Sequence, residues 1–155
     1  MTPDAAVQVD TVSDVHEWYD YRAIRSRNAL WSIVGGPRSI GKTFGKKLER
    51  GRKGIRTGTQ TLWLRRNLTE LRPAKSGFFD ALTSEYPGFD CRVQGDEGQV
   101  RMDGETWVTI VRFAALSTAY QLKGTEFPLV DEIIYDECFA EPRENGEPRT
   151  YLPDE

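Results

Sequence analysis

Histidine and cysteine are scarce in this 155-residue chain: His16 stands alone, and the cysteines are Cys91 and Cys138. Without ligand spacing they make zinc a poor fit, and a single histidine argues against a Ser-His-Asp triad. Two thiols do not form a disulfide framework, so reduced cysteines are the default. No apolar run approaches the twenty or so residues of a membrane span. The first ten residues lack the basic-then-apolar character of a signal segment, which points to a cytosolic setting and no membrane partner. Internal repeats are absent as well.

What is present is an uneven charge distribution around one motif. The chain is nearly neutral, at −3, yet Pro37 to Lys75 holds twelve Lys/Arg against two acids, Glu49 and Glu70. From Ser76 to Glu155 the balance reverses, with six Lys/Arg and seventeen Asp/Glu. Such a basic block either touches a polyanion or is a solvated helix face; composition does not choose between them.

The motif lies at the start of that block. Gly36-Pro37-Arg38-Ser39-Ile40-Gly41-Lys42-Thr43 fills every fixed position of the phosphate-binding pattern G-x-x-x-x-G-K-S/T. Gly36 and Gly41 let the backbone curl so that N–H groups face phosphate oxygens. Lys42 supplies a charge to the β/γ-phosphates, and Thr43 offers a hydroxyl to Mg²⁺. Context supports the assignment. Leu30–Val34 reads as a short buried strand before the loop, and a helix with Phe44 and Leu48 four apart follows it. That helix is expected to fade at Gly51-Arg52-Lys53-Gly54.

Further along, Thr61–Leu64 reads as a second strand ended by Arg65-Arg66, and Asn67 as a helix cap. Phe78–Tyr86 reads as a helix, stopped by Pro87-Gly88. Turn signals at Gln94–Gly98 and Asp103-Gly104 separate candidate strands at Cys91–Val93, Val100–Met102 and Thr106–Phe113. A last apolar strand opens at Pro128-Leu129-Val130, is interrupted by Asp131-Glu132, and resumes through Ile133–Tyr135. Residues 1–12 read as a flexible N-terminus, 13–140 as one α/β domain, and 141–155 as a polar tail or the start of a missing C-terminal part of the fold. A helix is expected from Ser13 or Asp14, carrying Val15, Trp18 and Tyr19.

The last strand ends in Asp136-Glu137. A carboxylate at a strand tip can hold Mg²⁺ opposite Thr43, the role expected of Asp136. A second can polarise a water for attack on the γ-phosphate, the role expected of Glu137. Asp131-Glu132 is a rival pair, but it precedes the apolar triplet, whereas ligands of open α/β sheets bind at carboxyl ends of strands. Arg38 can reach the γ-phosphate or a neighbouring subunit, or form an outer salt bridge. Arg65 and Arg66 either face nucleotide or nucleic acid, or cap the next turn. Lys123 reads on residue type as a solvated loop lysine. Trp31, Trp63, Phe78, Phe79 and Trp107 are expected in the core, as is Trp18 or Tyr19, with adenine stacking the alternative for that pair.

These residues in this order resemble the DNA-encapsidation ATPases, the genome-packaging motors of small tailed phages. The likeness runs over Tyr21 to Pro153. It rests on the Arg-containing phosphate loop, Leu64-Arg65-Arg66, Phe78-Phe79-Asp80 with Glu85-Tyr86-Pro87, Gly104-Glu105-Thr106-Trp107, Ala115-Leu116-Ser117, Gln121-Leu122-Lys123 and Tyr135-Asp136-Glu137. The resemblance implies a phosphate-loop NTPase of the additional-catalytic-glutamate type, with a mainly parallel core sheet and a β-hairpin insertion. It implies ATP and Mg²⁺ as cofactors, and a homo-oligomeric ring acting on double-stranded DNA at a portal or prohead, with a structural RNA among candidate partners, in the host cytoplasm. Under it, Lys123 matches a lysine offered to the neighbouring subunit's nucleotide. The family continues past the acidic motif into an arginine-rich helix and a further domain. This chain stops at Glu155, so a fragment or a shortened product with weak turnover is expected. The rival readings are a helicase or partition ATPase, and a nucleotide-binding assembly module without efficient turnover.

Overall fold

The computed structural model describes residues 19–37, 39–102 and 104–138. Its helices are α1 (Arg22–Arg25), α2 (Lys42–Thr57), α3 (Leu68–Ser76) and α4 (Asp80–Glu85). Its strands are β1 (Gln60–Arg65), β2 (Phe89–Gln94), β3 (Glu97–Met102), β4 (Val108–Ala115) and β5 (Val130–Tyr135). A 3₁₀ segment, Leu116–Leu122, follows β4.

The strands form one sheet in the order β2-β3-β4-β1-β5. β1 lies parallel to both β4 and β5, while β2-β3 and β3-β4 are antiparallel. The core strands β4-β1-β5 are parallel, as the resemblance implies, and the β2-β3 hairpin added to them makes the sheet as a whole mixed. The cause is the tight turn at Gly95-Asp96, with Gly95 at φ +60, which returns the chain directly into pairing. The hairpin thus extends the core sheet through β4.

α2 and α3 pack on the sheet, and α4 packs against α2 and β2. Trp63 of β1 is fully buried among Leu48, Leu71, Phe78, Phe113 and their neighbours. Phe78 sits edge-on to Trp63, Phe79 and Phe113, with centroids 5.0, 5.3 and 5.0 Å apart. Edge-on rings place positive ring edges against negative faces, adding to simple burial. Asn67 caps α3 as its residue type suggests, its side chain accepting from the Glu70 N–H at 3.0 Å.

Several expectations change. First, α2 does not fade at Gly51–Gly54 but runs on to Thr57 and ends at Gly58, φ +70. The glycines serve close packing: a Cβ on Gly51 would lie 2.8 Å from Leu82 Cδ1, and one on Gly54 2.7 Å from Ile110 Cβ. Second, Leu30–Val34 is not a strand. Leu30, Trp31 and Ile33 are exposed, and β5 forms the sheet edge with no partner on its outer side among the described residues. A short apolar run reports a preference for burial, and pairing needs a neighbour that the pattern cannot name. Trp107 is likewise outside the core, half-buried between the Arg92 and Arg101 guanidinium groups, 4.0 and 4.6 Å from its ring. The expected N-terminal helix lies outside the described residues up to residue 18, and Tyr19, which it was to carry into the core, is neither helical nor buried; the tail from 141 lies wholly outside them.

Third, β5 is continuous through Asp131-Glu132. Gln60 pairs with Val130 but Thr61 with Glu132, so Asp131 is an extra residue opposite β1. This bulge lets two consecutive acids reach the same helix. Arg50 of α2, with a side chain only 2% exposed, pairs with both, at 2.9 Å to Glu132, and donates to Thr61 Oγ1 at 2.7 Å. Lys53 binds Asp131 and Lys46 binds Glu132, each at 2.6 Å. The rival acidic pair is thereby committed to fastening α2 to β5.

Burial alone would raise the Asp131 pKa, but the bond from Lys53 and the charge of Arg50 outweigh it and hold it below 3.8. A depressed carboxylate pKa adds stability above its unfolded value, lost as pH falls through the folded one. Asp131→Asn is expected to destabilise the fold at pH 7 by about 1.5–3 kcal/mol. In denaturant unfolding curves the gap from wild type should narrow as pH drops below about 4.

Candidate functional site

β1 and β5 run in the same direction, so their carboxyl ends meet at one edge. Leu64 pairs with Tyr135, and the Asp136 N–H donates to the Leu64 carbonyl at 3.1 Å. This carries the β5 register one residue past the strand and sets the Asp136 side chain beside Arg65. Arg65 donates to Asp136 Oδ2 at 2.6 Å and also pairs with Glu137. Arg65 and Asp136 are nearly buried, while Glu137 is exposed and adopts φ +57, an uncommon backbone for a residue with a side chain.

The glycine loop reaches the same point from the other side. Gly36 (φ +154), Ser39 (φ +65) and Gly41 (φ +76) take the positive-φ geometry, and Gly41 is the N-cap of α2. The loop thus opens into a helix start, whose free N–H groups and dipole favour anions. Lys42 folds its ammonium back on the loop, donating to the Gly36 carbonyl at 2.9 Å and to that of Pro37. The next residue closes the site: Thr43 Oγ1 donates to Asp136 Oδ1 at 2.9 Å, joining positions 93 residues apart. A hydroxyl and a carboxylate are hard oxygen donors of the kind Mg²⁺ takes.

The sequence-derived residues divide accordingly. Thr43, Asp136 and Glu137 come together at one edge, and Gly36, Pro37, Ser39, Ile40, Gly41 and Lys42 form the adjoining loop. Arg38 lies outside the described residues. Lys123 follows the 3₁₀ segment at an exposed position and forms no ion pair among the described residues. Arg66 takes the capping alternative, binding Glu70 at 2.8 Å.

Two contributors had only faint sequence signals. Arg65 stood as one of a pair, and only strand register separates its role from that of Arg66. No sequence signal singles out Tyr21. Its hydroxyl donates to the Lys42 carbonyl at 3.1 Å, and burial, assisted by nearby Tyr19 and acids, pushes its pKa up to about 12. It therefore remains a donor at any neutral pH. Lys47, one turn on from the loop, donates to the Gly77 carbonyl at 3.2 Å, and burial lowers its pKa. A cavity of about 470 Å³ between α3, α4 and β2 is lined by none of the loop or strand-tip residues.

Fold and site define an α/β protein with a mixed sheet, in which a glycine loop at a helix start meets an acidic strand tip. The fold matches the crystal structure of the N-terminal domain of the DNA packaging ATPase from bacteriophage phi29. The TM-score is 0.70 at 24% identity, over 86% of this chain and 66% of that one. The chain belongs to the Podovirus DNA encapsidation protein (Gp16) family, whose model matches residues 13–155. It is 29% identical over 131 residues to the DNA packaging protein of Bacillus phage B103, covering 84% of this chain and 37% of that protein. To the phi29 DNA packaging protein it is 26% identical over 138 residues, 89% of this chain and 39% of that one. The chain thus spans about two-fifths of the length of these relatives. A phi29 viral genome packaging motor assembly matches at TM-score 0.68 and 25% identity, over 90% of this chain and 39% of that one. No helix among the described residues is long and apolar enough to cross a membrane.

Removing Arg65 leaves Asp136 nearly buried with Thr43 as its remaining side-chain donor. Arg65→Met should cost about 1.5–3 kcal/mol, the worth of a charged hydrogen bond. Chemical denaturation of the ligand-free protein measures it, and Arg66→Met is the control, with the smaller loss of an i,i+4 pair.

Proposed function

We propose that this chain is the ATPase domain of a viral DNA-packaging motor, binding ATP–Mg²⁺ and coupling its hydrolysis to movement of double-stranded DNA into a prohead. The observation that carries the reading is the Thr43–Asp136 hydrogen bond, which unites the phosphate-loop motif with the acidic strand tip. Family membership and the fold match supply the DNA-packaging context.

In this reading the loop N–H groups and Lys42 hold the triphosphate. Thr43 and Asp136 hold Mg²⁺, which neutralises charge developing on the phosphates. Glu137 orients and deprotonates the attacking water, an exposed carboxylate being free to swing once Arg65 releases it. Lys42 must likewise leave the loop carbonyls it now binds, a short rotation of a flexible side chain. Arg38 and Lys123 are the further cations proposed to meet the γ-phosphate, Lys123 from a neighbouring subunit of a ring. The portal or prohead, and a structural RNA, are the remaining proposed partners.

Lys42→Ala should weaken ATP binding about 10- to 150-fold, the equivalent of one charged hydrogen bond, in a protein that stays folded. Unchanged affinity in a fluorescent ATP-analogue titration would remove the phosphate-loop assignment. Glu137→Gln should bind ATP normally and lose turnover, while Asp136→Asn should lose the Mg²⁺-dependent part of binding. Steady-state phosphate release, with and without double-stranded DNA, reads the first. A Glu137→Gln protein hydrolysing at the wild-type rate would refute its role as base.

A further inference from the structure

The phosphate loop accounts for only one end of a nucleotide. Its residues, Gly36 to Gly41, offer main-chain donors but no aromatic ring on which a base can rest. A base must be received within one nucleotide's length of Lys42 and Thr43. The segment Tyr19-Asp20-Tyr21 occupies that neighbourhood, packed against the first turns of α2.

Two contacts fix it there. The Tyr21 hydroxyl is bound to the main-chain carbonyl of Lys42. The Tyr19 carbonyl lies so close to α2 that a Cβ on Gly45 would stand 2.7 Å from it, which only glycine avoids. The two rings meet edge-on, centroids 4.9 Å apart at 62°. Tyr21 is the anchored member, half-buried with the Lys46 ammonium 4.7 Å from its ring centre. Tyr19 is only partly buried, and its hydroxyl forms no hydrogen bond among the described residues. A ring held in place by its backbone and its neighbour, yet not buried, suits stacking.

We propose that Tyr19, braced by Tyr21, is the platform on which the base of the bound nucleoside triphosphate stacks. This rests on the phosphate-loop reading above and adds the base subsite to it. Stacking needs only a π-face, so the platform takes purines without hydrogen-bond selection and gains affinity that the phosphates alone do not supply. Gly45 is then the residue that lets the platform lie within reach of the loop.

The test compares two ligands on the full 155-residue chain by calorimetry in Mg²⁺: ATP, which has a base, and inorganic tripolyphosphate, which has none. Tyr19→Ala should weaken ATP about 5- to 100-fold, the range for loss of one stacked base, while tripolyphosphate changes less than about twofold. Tyr19→Phe, which keeps the ring, should bind ATP as wild type does. If Tyr19→Ala leaves ATP affinity unchanged, or weakens both ligands equally, the platform is overturned while the phosphate loop stands. If the wild-type chain binds neither ligand, the phosphate-loop reading fails and the platform falls with it.

Discussion

The parallel alignment of β1 with β5 governs the geometry of this protein. It brings two strands to the same edge, so that Arg65 at the end of one faces Asp136 and Glu137 at the end of the other. A one-residue slip would turn Asp136 to the opposite face of the sheet, away from Thr43. The Asp131 bulge absorbs the mismatch lower in the strand pair, and the four cation–carboxylate contacts from Lys46, Arg50 and Lys53 hold that register from the helix side. Each is an ion pair of modest individual worth. Arg50, however, is a buried guanidinium whose charge is satisfied only in this register, which makes misalignment costly.

The acids of β5 therefore serve two ends. Asp131 and Glu132 fasten α2, and Asp136 and Glu137 meet Thr43 and Arg65. Because α2 begins at Lys42, the same fastening that aligns the sheet also fixes the loop relative to the strand tip. Thr43 and Asp136 can then meet at hydrogen-bond distance although no chain segment near either one links them.

Much of this was legible in the sequence, and the failures have physical causes. The loop pattern of Gly36 to Thr43, the helix after it, the Asn67 cap and the strands around Gly95 all depend on local chemistry, and local chemistry is what a sequence displays. Asp136 could be ranked above Asp131 because one follows the apolar triplet and the other precedes it. Leu30–Val34 was misread because burial preference does not specify a partner strand. The glycines of α2 were misread as breakers because their purpose, contact with Leu82 and Ile110, lies in residues far along the chain. Arg65 and Tyr21 gain their places only through register and packing, which no single-residue signal carries.

The glycines of α2 also bear on what holds the helix. Gly45, Gly51 and Gly54 stand within a sixteen-residue helix, and each lowers intrinsic helicity by about 1 kcal/mol relative to alanine. A segment of that composition is a poor autonomous helix and gains its stability from docking. Leu82, Ile110 and the Tyr19 backbone, which the glycines admit, belong to other elements. The helix thus leans for its stability on the sheet and on α4 rather than on its own propensity. The loop at the head of α2 therefore depends for its shape on contacts made by elements distant in the chain, not on the helix that follows it.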